Sequence, residues 1–401
     1  MADQFDLVVI GGGPGGYASA FYAASCGMSV ALVERDTIGG TCLNRGCIPA
    51  KAFLETAAAN RHVAHASEFG INANSTGIDF AVSQARKARI VEGLVKGLTG
   101  LTKSKKVTYL LGTGSLEAGR VVSVQLADGT SKKIQANNVI LASGSVPRTI
   151  KGFPIGGSIM TSDEVLMLNK IPKRIAVIGG GAIGCEFAST FADLGSEVSI
   201  LEGAPKILPG LDPDVANVVV KSFTKKKINI KTGIVVTGQS SLPDGSTQIT
   251  FATGDPQIVD VVVVSVGRRA FSDALGLVGT NVKVDDRGFV VVNEYCQTGE
   301  SGVYAIGDLI NTPQLAHVAY AEAILSIKHL VAKTQRQLCT TACHGQFIVI
   351  QKLHGLALQK EQAREAGHDV VVAKHQFRAN SRAMILGEID GLVKVIAKKK
   401  S

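Results

Sequence analysis

Cys42 and Cys47 stand in the run Gly39-Gly40-Thr41-Cys42-Leu43-Asn44-Arg45-Gly46-Cys47-Ile48-Pro49-Ala50-Lys51. A thiol pair can carry two electrons as one disulfide that opens and closes, provided one thiol ionises and a redox partner lies within reach. The run predicts that the pair starts a helix, and the field at a helix N-terminus lowers a thiol's pKa. A structural disulfide or two unrelated thiols would use the same residues. Redox chemistry is favoured by position, because the pair follows closely on a dinucleotide-binding fingerprint.

That fingerprint occurs twice. Residues 6–36 read DLVVIGGGPGGYASAFYAASCGMSVALVERD, and residues 174–204 read RIAVIGGGAIGCEFASTFADLGSEVSILEGA. Each runs from an apolar strand through GxGxxG and an alanine-rich helix to a second strand closing in Glu. In the first copy Gly11, Gly13 and Gly16 supply the tight turn, the close backbone approach and the helix–strand contact. The free N–H groups of the following helix would face a pyrophosphate, and Glu34 could accept both hydroxyls of an adenosine ribose. Gly179, Gly181, Gly184 and Glu202 take the same roles in the second copy. A carboxylate at 202 repels a 2′-phosphate, which favours NAD over NADP. A bare helix-start turn and a surface strand end are the plainer readings; duplication and spacing count against both.

The remaining elements are placed around these two units. A helical, alanine-rich pattern runs from Pro49 to about Gly70. Residues 80–106 read as a second amphipathic helix broken by Gly93, Gly97 and Gly100. Strands are expected at Val107–Leu111, Val121–Leu126 and Asn138–Ala142, with an Asp128-Gly129 turn. The Ala142–Pro147 run, with Ser143 and Gly144, is a turn at the end of a parallel strand, where ligands lie in such sheets. A strand from Val259 to Val266 ends in Gly267-Arg268-Arg269. Gly302–Asp308 completes a binding crevice, with Asp308 placed to hold a sugar-like chain or phosphate, or to cap the helix expected over Ala316–Val331.

The chain has 401 residues, 45% apolar and 19% charged, with 45 glycines and no tryptophan. This is a glycine-rich α/β composition with room for two or three domains. The net charge of +9 includes Lys103, Lys105, Lys106, Lys225, Lys226, Lys227 and Lys398–Lys400. None is interleaved with aromatics, so these read as solvated faces and a frayed end, and a nucleic-acid groove is not expected. Seven cysteines without any CxxC argue against a zinc ribbon, an iron–sulfur cluster or a secreted disulfide framework. No apolar run approaches 18 residues, so no membrane span is expected. The chain opens into a strand at Phe5 with no targeting segment, and a reducing, cytoplasmic compartment is the expectation.

With Gly-Gly-Thr-Cys42-Leu-Asn-Arg-Gly-Cys47-Ile-Pro-x-Lys51, both nucleotide motifs, Ala142-Ser143-Gly144-Ser145-x-Pro147 and Gly307-Asp308, the chain resembles the pyridine nucleotide-disulfide oxidoreductases. Within them the Leu43–Gly46 spacer is similar to that of the dihydrolipoamide dehydrogenase (E3) branch. The resemblance implies two Rossmann-like domains, FAD on the first and NAD on the second, and an incomplete α+β C-terminal interface domain. Its boundaries would be 1–148 and 273–335 for FAD, 149–272 for NAD and 336–401 for the interface. It further implies that Cys47 is the flavin-side thiolate, that Cys42 is the interchange thiol, and that Lys51 near the flavin pairs with Glu186, which read alone is equally a surface helix acid. Gly40, Thr41, Lys51, Ser143, Gly144, Gly267 and Asp308 join the cofactor-binding set. The implied substrate is dihydrolipoamide on the lipoyl domain of a 2-oxoacid dehydrogenase complex, oxidised with NAD, and the implied assembly is a homodimer.

The pattern departs from the family toward the C-terminus. The family's general base is a His in a His-Pro segment, and no His-Pro dipeptide occurs in this sequence. Residues 333–360 do not follow the family pattern, which resumes from Glu361 with a helix, a strand near 370–374 and another near 384–396. Cys339, Cys343, His344, His354, His368 and His375 lack metal-ligand spacing, and no metal is expected. His368 and His375 read as exposed, and Cys26, Cys185 and Cys296 as small packing residues. An impaired E3-like paralogue retaining nucleotide binding and diaphorase activity, or a noncatalytic partner of 2-oxoacid dehydrogenase complexes, are the alternatives to an active enzyme.

Overall fold

The computed structural model describes residues 3–331, 345–348, 352–355, 358–387 and 389–399. The chain divides into two compact units, one of Met1–Pro49, Arg86–Val146 and Arg268–Thr340, the other of Ala50–Ala85, Pro147–Gly267 and Thr341–Ser401. Each is built on its own sheet, all parallel in the second unit and parallel but for one strand in the first.

In the first unit the apolar run at Leu7–Ile10 is buried on both faces, which suits a central parallel strand flanked by helices. Asp3–Ile10 lies between Val30–Glu34 and Ser131–Leu141, parallel to both. Thr108–Glu117 adds beyond Val30–Glu34 through its first residues. It then continues antiparallel to Val121–Leu126, which returns along Ser131–Leu141. Val303–Ala305 pairs in parallel with the other edge of Ser131–Leu141. The helices Pro14–Ser25 and Ala316–Leu330 contribute Ala20, Ala23, Ala323, Leu325 and Ile327 to this core.

The second unit has five parallel strands in the order Asn229–Thr232, Glu197–Glu202, Arg174–Ile178, Val261–Val264 and Ile159–Met160. An antiparallel meander of Val236–Ser241, Thr247–Phe251 and Gln257–Val259 is attached. The helix Pro213–Lys225 starts on an Asp212 cap that accepts from the Asp214 N–H, with proline at its first position. The C-terminal hairpin pairs Val370–Gln376 with Leu392–Lys398. Lys394 is held from it by Asp212 at 2.5 Å and Asp214 at 2.8 Å.

Four expectations need correction. Phe80–Ser104 is one unbroken helix. Nothing lies within 4 Å of the side-chain positions of Gly93, Gly97 and Gly100, while Val95 and Leu98 pack on the core of the first unit. Packing of that face outweighs a penalty of about 1 kcal/mol per glycine. Residues 384–396 are not one strand: Asn380 Oδ1 accepts from the Ala383 N–H and starts the helix Ser381–Ile385, and Gly387 at φ +71° ends it. Cys26 is exposed at a helix end instead of packed. Lys226 is no solvated lysine, since its side chain is 10% exposed and pairs with Asp193 at 2.7 Å. His368 and His375 are exposed, and Cys185 and Cys296 are buried, as expected. Cys339, Cys343, His344 and most of the irregular 333–360 stretch lie outside the described residues, as do the side chain of His354 and Lys400.

Candidate active site

The two glycine fingerprints fold into near copies. Gly11 has φ +108° and Gly179 has φ +106°, a region that disfavours any side chain. A Cβ on Gly11 would fall 2.2 Å from the Ala142 carbonyl oxygen, and one on Gly179 would fall 2.3 Å from that of Ser265. Gly16 and Gly184 back onto the carbonyl oxygens of Gly11 and Gly179, at 1.8 and 2.1 Å from a built Cβ. Gly13 and Gly181 are the residues immediately before the two helices, with their N–H groups at the uncapped ends. A side chain on Gly181 would meet nothing within 4 Å, and one on Gly13 only Gly40 at 3.8 Å, so both leave room for a pyrophosphate.

The closing acids match as well. Glu34 accepts from the Gly12 N–H at 2.7 Å and the Asp36 N–H at 2.8 Å. Glu202 accepts from Gly180 at 2.5 Å and Ala204 at 2.7 Å. Each carboxylate has two oxygens with several acceptor positions, so a ribose can still be bound after the loop has been braced. Glu34 is only 8% exposed, which removes the surface strand-end reading. The residues present therefore fit a dinucleotide on each unit.

The cysteine segment is seated directly on the first glycine loop. Gly39 donates to the Gly12 carbonyl at 2.8 Å, and a Cβ on Gly40 (φ +58°) would fall 2.6 Å from the Gly13 Cα. Thr41 and Cys42 lie in the short helix Gly40–Arg45, and Cys47 begins the long helix Cys47–Ala64. The expected single helix start is thus two helices joined at Gly46, and only Cys47 sits at the positive end of a long helix. Asn44 braces the segment by donating to the carbonyls of Thr37, Ile38 and Gly40, and Arg45 pairs with Asp36. Cys47 is exposed and Cys42 half-buried. Lys51, one helical turn beyond Cys47, holds Glu186 through both carboxylate oxygens, at 2.8 and 2.9 Å.

Across the central strand, Ser143 donates to the Phe271 carbonyl at 2.7 Å and Gly144 accepts from the Phe271 N–H at 2.9 Å. Asp308 accepts from the Ser145 hydroxyl at 2.6 Å. It caps no helix, because Leu315 occupies the position before Ala316–Leu330. Gly267, at φ +98°, accepts from the Arg148 N–H at 2.9 Å.

Sequence reasoning passed over several groups here. Arg268 donates to the Ser145 hydroxyl and carbonyl, so Ser145 links Arg268 to Asp308; the charge beside Gly267 was its available signal. Glu322, fully buried, accepts from the Gly307 N–H at 2.6 Å, and burial pushes its carboxyl up to about 7. Tyr17 and Tyr320 share a hydroxyl–hydroxyl bond; burial raises the Tyr17 phenol well above its ordinary range, with Tyr320, Cys42 and Cys47 adding to the effect. Among the described residues, no group of three or more His, Cys, Asp or Glu side chains could hold a metal.

Fold and site define a protein with two dinucleotide-binding units and a dithiol set on the first. Residues 5–323 match the family described as pyridine nucleotide-disulphide oxidoreductase, and residues 356–401 match the dimerisation domain of that family. The chain belongs to this family. It is 38% identical over 405 residues to a dihydrolipoyl dehydrogenase of Chlamydia muridarum, spanning 100% of this chain and 86% of the relative. Dihydrolipoyl dehydrogenases of Bacillus subtilis (35% identical, 99% and 86% covered) and Thermus scotoductus (38%, 98% and 84%) are similarly related. The fold is shared with LpdA from Mycobacterium tuberculosis at a TM-score of 0.93 and 21% identity, covering 100% of this chain and 88% of that one. It is shared too with the HOCl-induced flavoprotein disulfide reductase RclA from Escherichia coli, at 0.87 and 24%, covering 98% and 86%.

Proposed function

We propose that this protein is a dihydrolipoyl dehydrogenase, an enzyme that oxidises dihydrolipoamide with NAD through Cys42, Cys47 and FAD. The observation that carries this reading is the seat of Gly39-Gly40 on Gly12-Gly13, which ties the dithiol segment to the first nucleotide loop. Gly11, Gly13, Gly16, Glu34, Gly40, Thr41, Lys51, Ser143, Gly144 and Asp308 would hold FAD. Gly179, Gly181, Gly184, Glu202 and Gly267 would hold NAD, with Glu202 disfavouring a 2′-phosphate. The FAD domain then comprises 1–148 and 273–335, the NAD domain 149–272 and the interface domain 336–401.

A dihydrolipoamide thiolate attacks Cys42 sulfur of the oxidised pair, and Cys47 leaves as a thiolate. The second substrate thiol displaces Cys42 from the mixed disulfide, its proton passing to the departing Cys42 sulfur, which closes the dithiolane and leaves both enzyme sulfurs reduced. Cys47 holds its negative charge at the positive end of the Cys47–Ala64 helix. Lys51 supplies a fixed positive charge one turn away, oriented by Glu186. FAD and NAD, when bound, would supply the two-electron acceptors that return the pair to its disulfide.

The physiological substrate is read as the lipoyl domain of a 2-oxoacid dehydrogenase complex, and the assembly as a homodimer. The dimerisation-domain match over 356–401 supports the second point. So does the hairpin face carrying Val371, Val393 and Val395, each about half exposed. Among the described residues no helix is long and apolar enough to cross a membrane. The test is to assay one FAD-loaded preparation for dihydrolipoamide oxidation with NAD and for NADH oxidation by an artificial acceptor. Both activities are expected, and Cys42→Ser should abolish the first while sparing the second. Dihydrolipoamide oxidation undiminished in Cys42→Ser contradicts the proposal.

A further inference from the structure

Arg35 follows Glu34 at the carboxyl end of the Val30–Glu34 strand, and its guanidinium carbon lies 4.3 Å from the centre of the Phe271 ring, over the ring face. Phe271 is fixed from the other side of the sheet. Its N–H and carbonyl bond Gly144 and Ser143, just beyond the Ser131–Leu141 strand. The central strand Asp3–Ile10 lies between those two strands. The Arg35–Phe271 contact therefore joins the two flanks of the carboxyl end from which the Gly11–Gly13 loop rises. Ligands of open parallel sheets lie outside that end.

We propose that Arg35 and Phe271 form a strap beside the dinucleotide crevice of the first unit, and that this strap retains the adenosine half of the bound cofactor. The inference rests on the assignment of FAD to this unit. Glu34 would hold the ribose, and the next residue reaches to the opposite flank, so departure of the nucleotide requires the guanidinium to leave the ring. Arg35 is exposed and Phe271 half-buried, so the contact can open without unpacking the core. Both residues are positioning residues; neither touches a reacting atom.

The test follows the fluorescence rise as FAD leaves loaded protein after dilution. Arg35→Gln and Phe271→Leu should each speed release about two- to fivefold, the range of an exposed cation–π contact. Their combination should be no faster than either alone. Phe271→Tyr keeps the aromatic face and should retain the original rate. The thermal midpoint of the flavin-free protein should stay the same in all variants, which separates strap from scaffold. Unchanged release in both single variants, or a double variant whose effect is the product of the two, overturns the strap while FAD binding stands. An unsubstituted protein that binds no FAD overturns the functional reading and the strap with it.

Discussion

The acids that close the two fingerprints are paired with backbone. Glu34 and Glu202 each brace the loop they would serve, through N–H groups of Gly12, Asp36, Gly180 and Ala204. Their position was legible in the sequence, because an acid at the end of the second strand follows from the motif itself; the bonds to the loop N–H groups were not. Glu322 was not legible, since an acid inside an alanine-rich helix gives no sign that the Gly307 turn will cover it. Its carboxyl is raised to about 7 from 4.5, first by burial and further by the Asp308 charge, against the Gly307 N–H. A carboxyl raised on folding favours the native state fully below pH 4.5, and that contribution is lost as pH rises through about 7. Glu322→Gln, which keeps an acceptor for Gly307 and carries no charge, should therefore gain stability over the unsubstituted protein as pH goes from 5 to 8. Urea unfolding at the two pH values checks this; an identical difference at both contradicts it.

Element by element, glycine had two meanings that the sequence did not separate. At Gly40 it permits a backbone-to-backbone approach, and a Cβ there would fall 2.6 Å from the Gly13 Cα with φ at +58°. At Gly93 it merely occupies the open side of a helix held by its other face. The second kind was read as a helix break because the tertiary packing of Val95 and Leu98 is invisible in local propensity. The two meanings predict opposite signs. Gly40→Ala should push the dithiol segment off the nucleotide loop and lower FAD retained after gel filtration, whereas Gly93→Ala should leave retention intact and add up to about 1 kcal/mol of stability. Equal retention in both variants contradicts the close-approach account.

The molecule as a whole repeats one solution, a parallel sheet with a glycine loop and a bracing acid, and adds a dithiol to the first copy only. Duplication made this plan readable, because each copy checks the other down to φ values at Gly11 and Gly179 that agree within a few degrees. The C-terminal part was less readable. Its hairpin is fastened by Lys394 between Asp212 and Asp214, residues far away in sequence, and its strand begins only after an Asn380-started helix. In the proposed function the Cys47 sulfur stands against the isoalloxazine of FAD held by the first unit. Adding two electrons anaerobically to the FAD-loaded protein, and recording its absorbance, tests this most directly. A new long-wavelength band is predicted in the unsubstituted protein, whose disulfide takes the two electrons and leaves the flavin oxidised. Cys42→Ser, which has no disulfide, should show the band before any reduction, and Cys47→Ser should lack it in both states. A fully flavinated protein that shows no such band, or one that survives Cys47→Ser, contradicts the account.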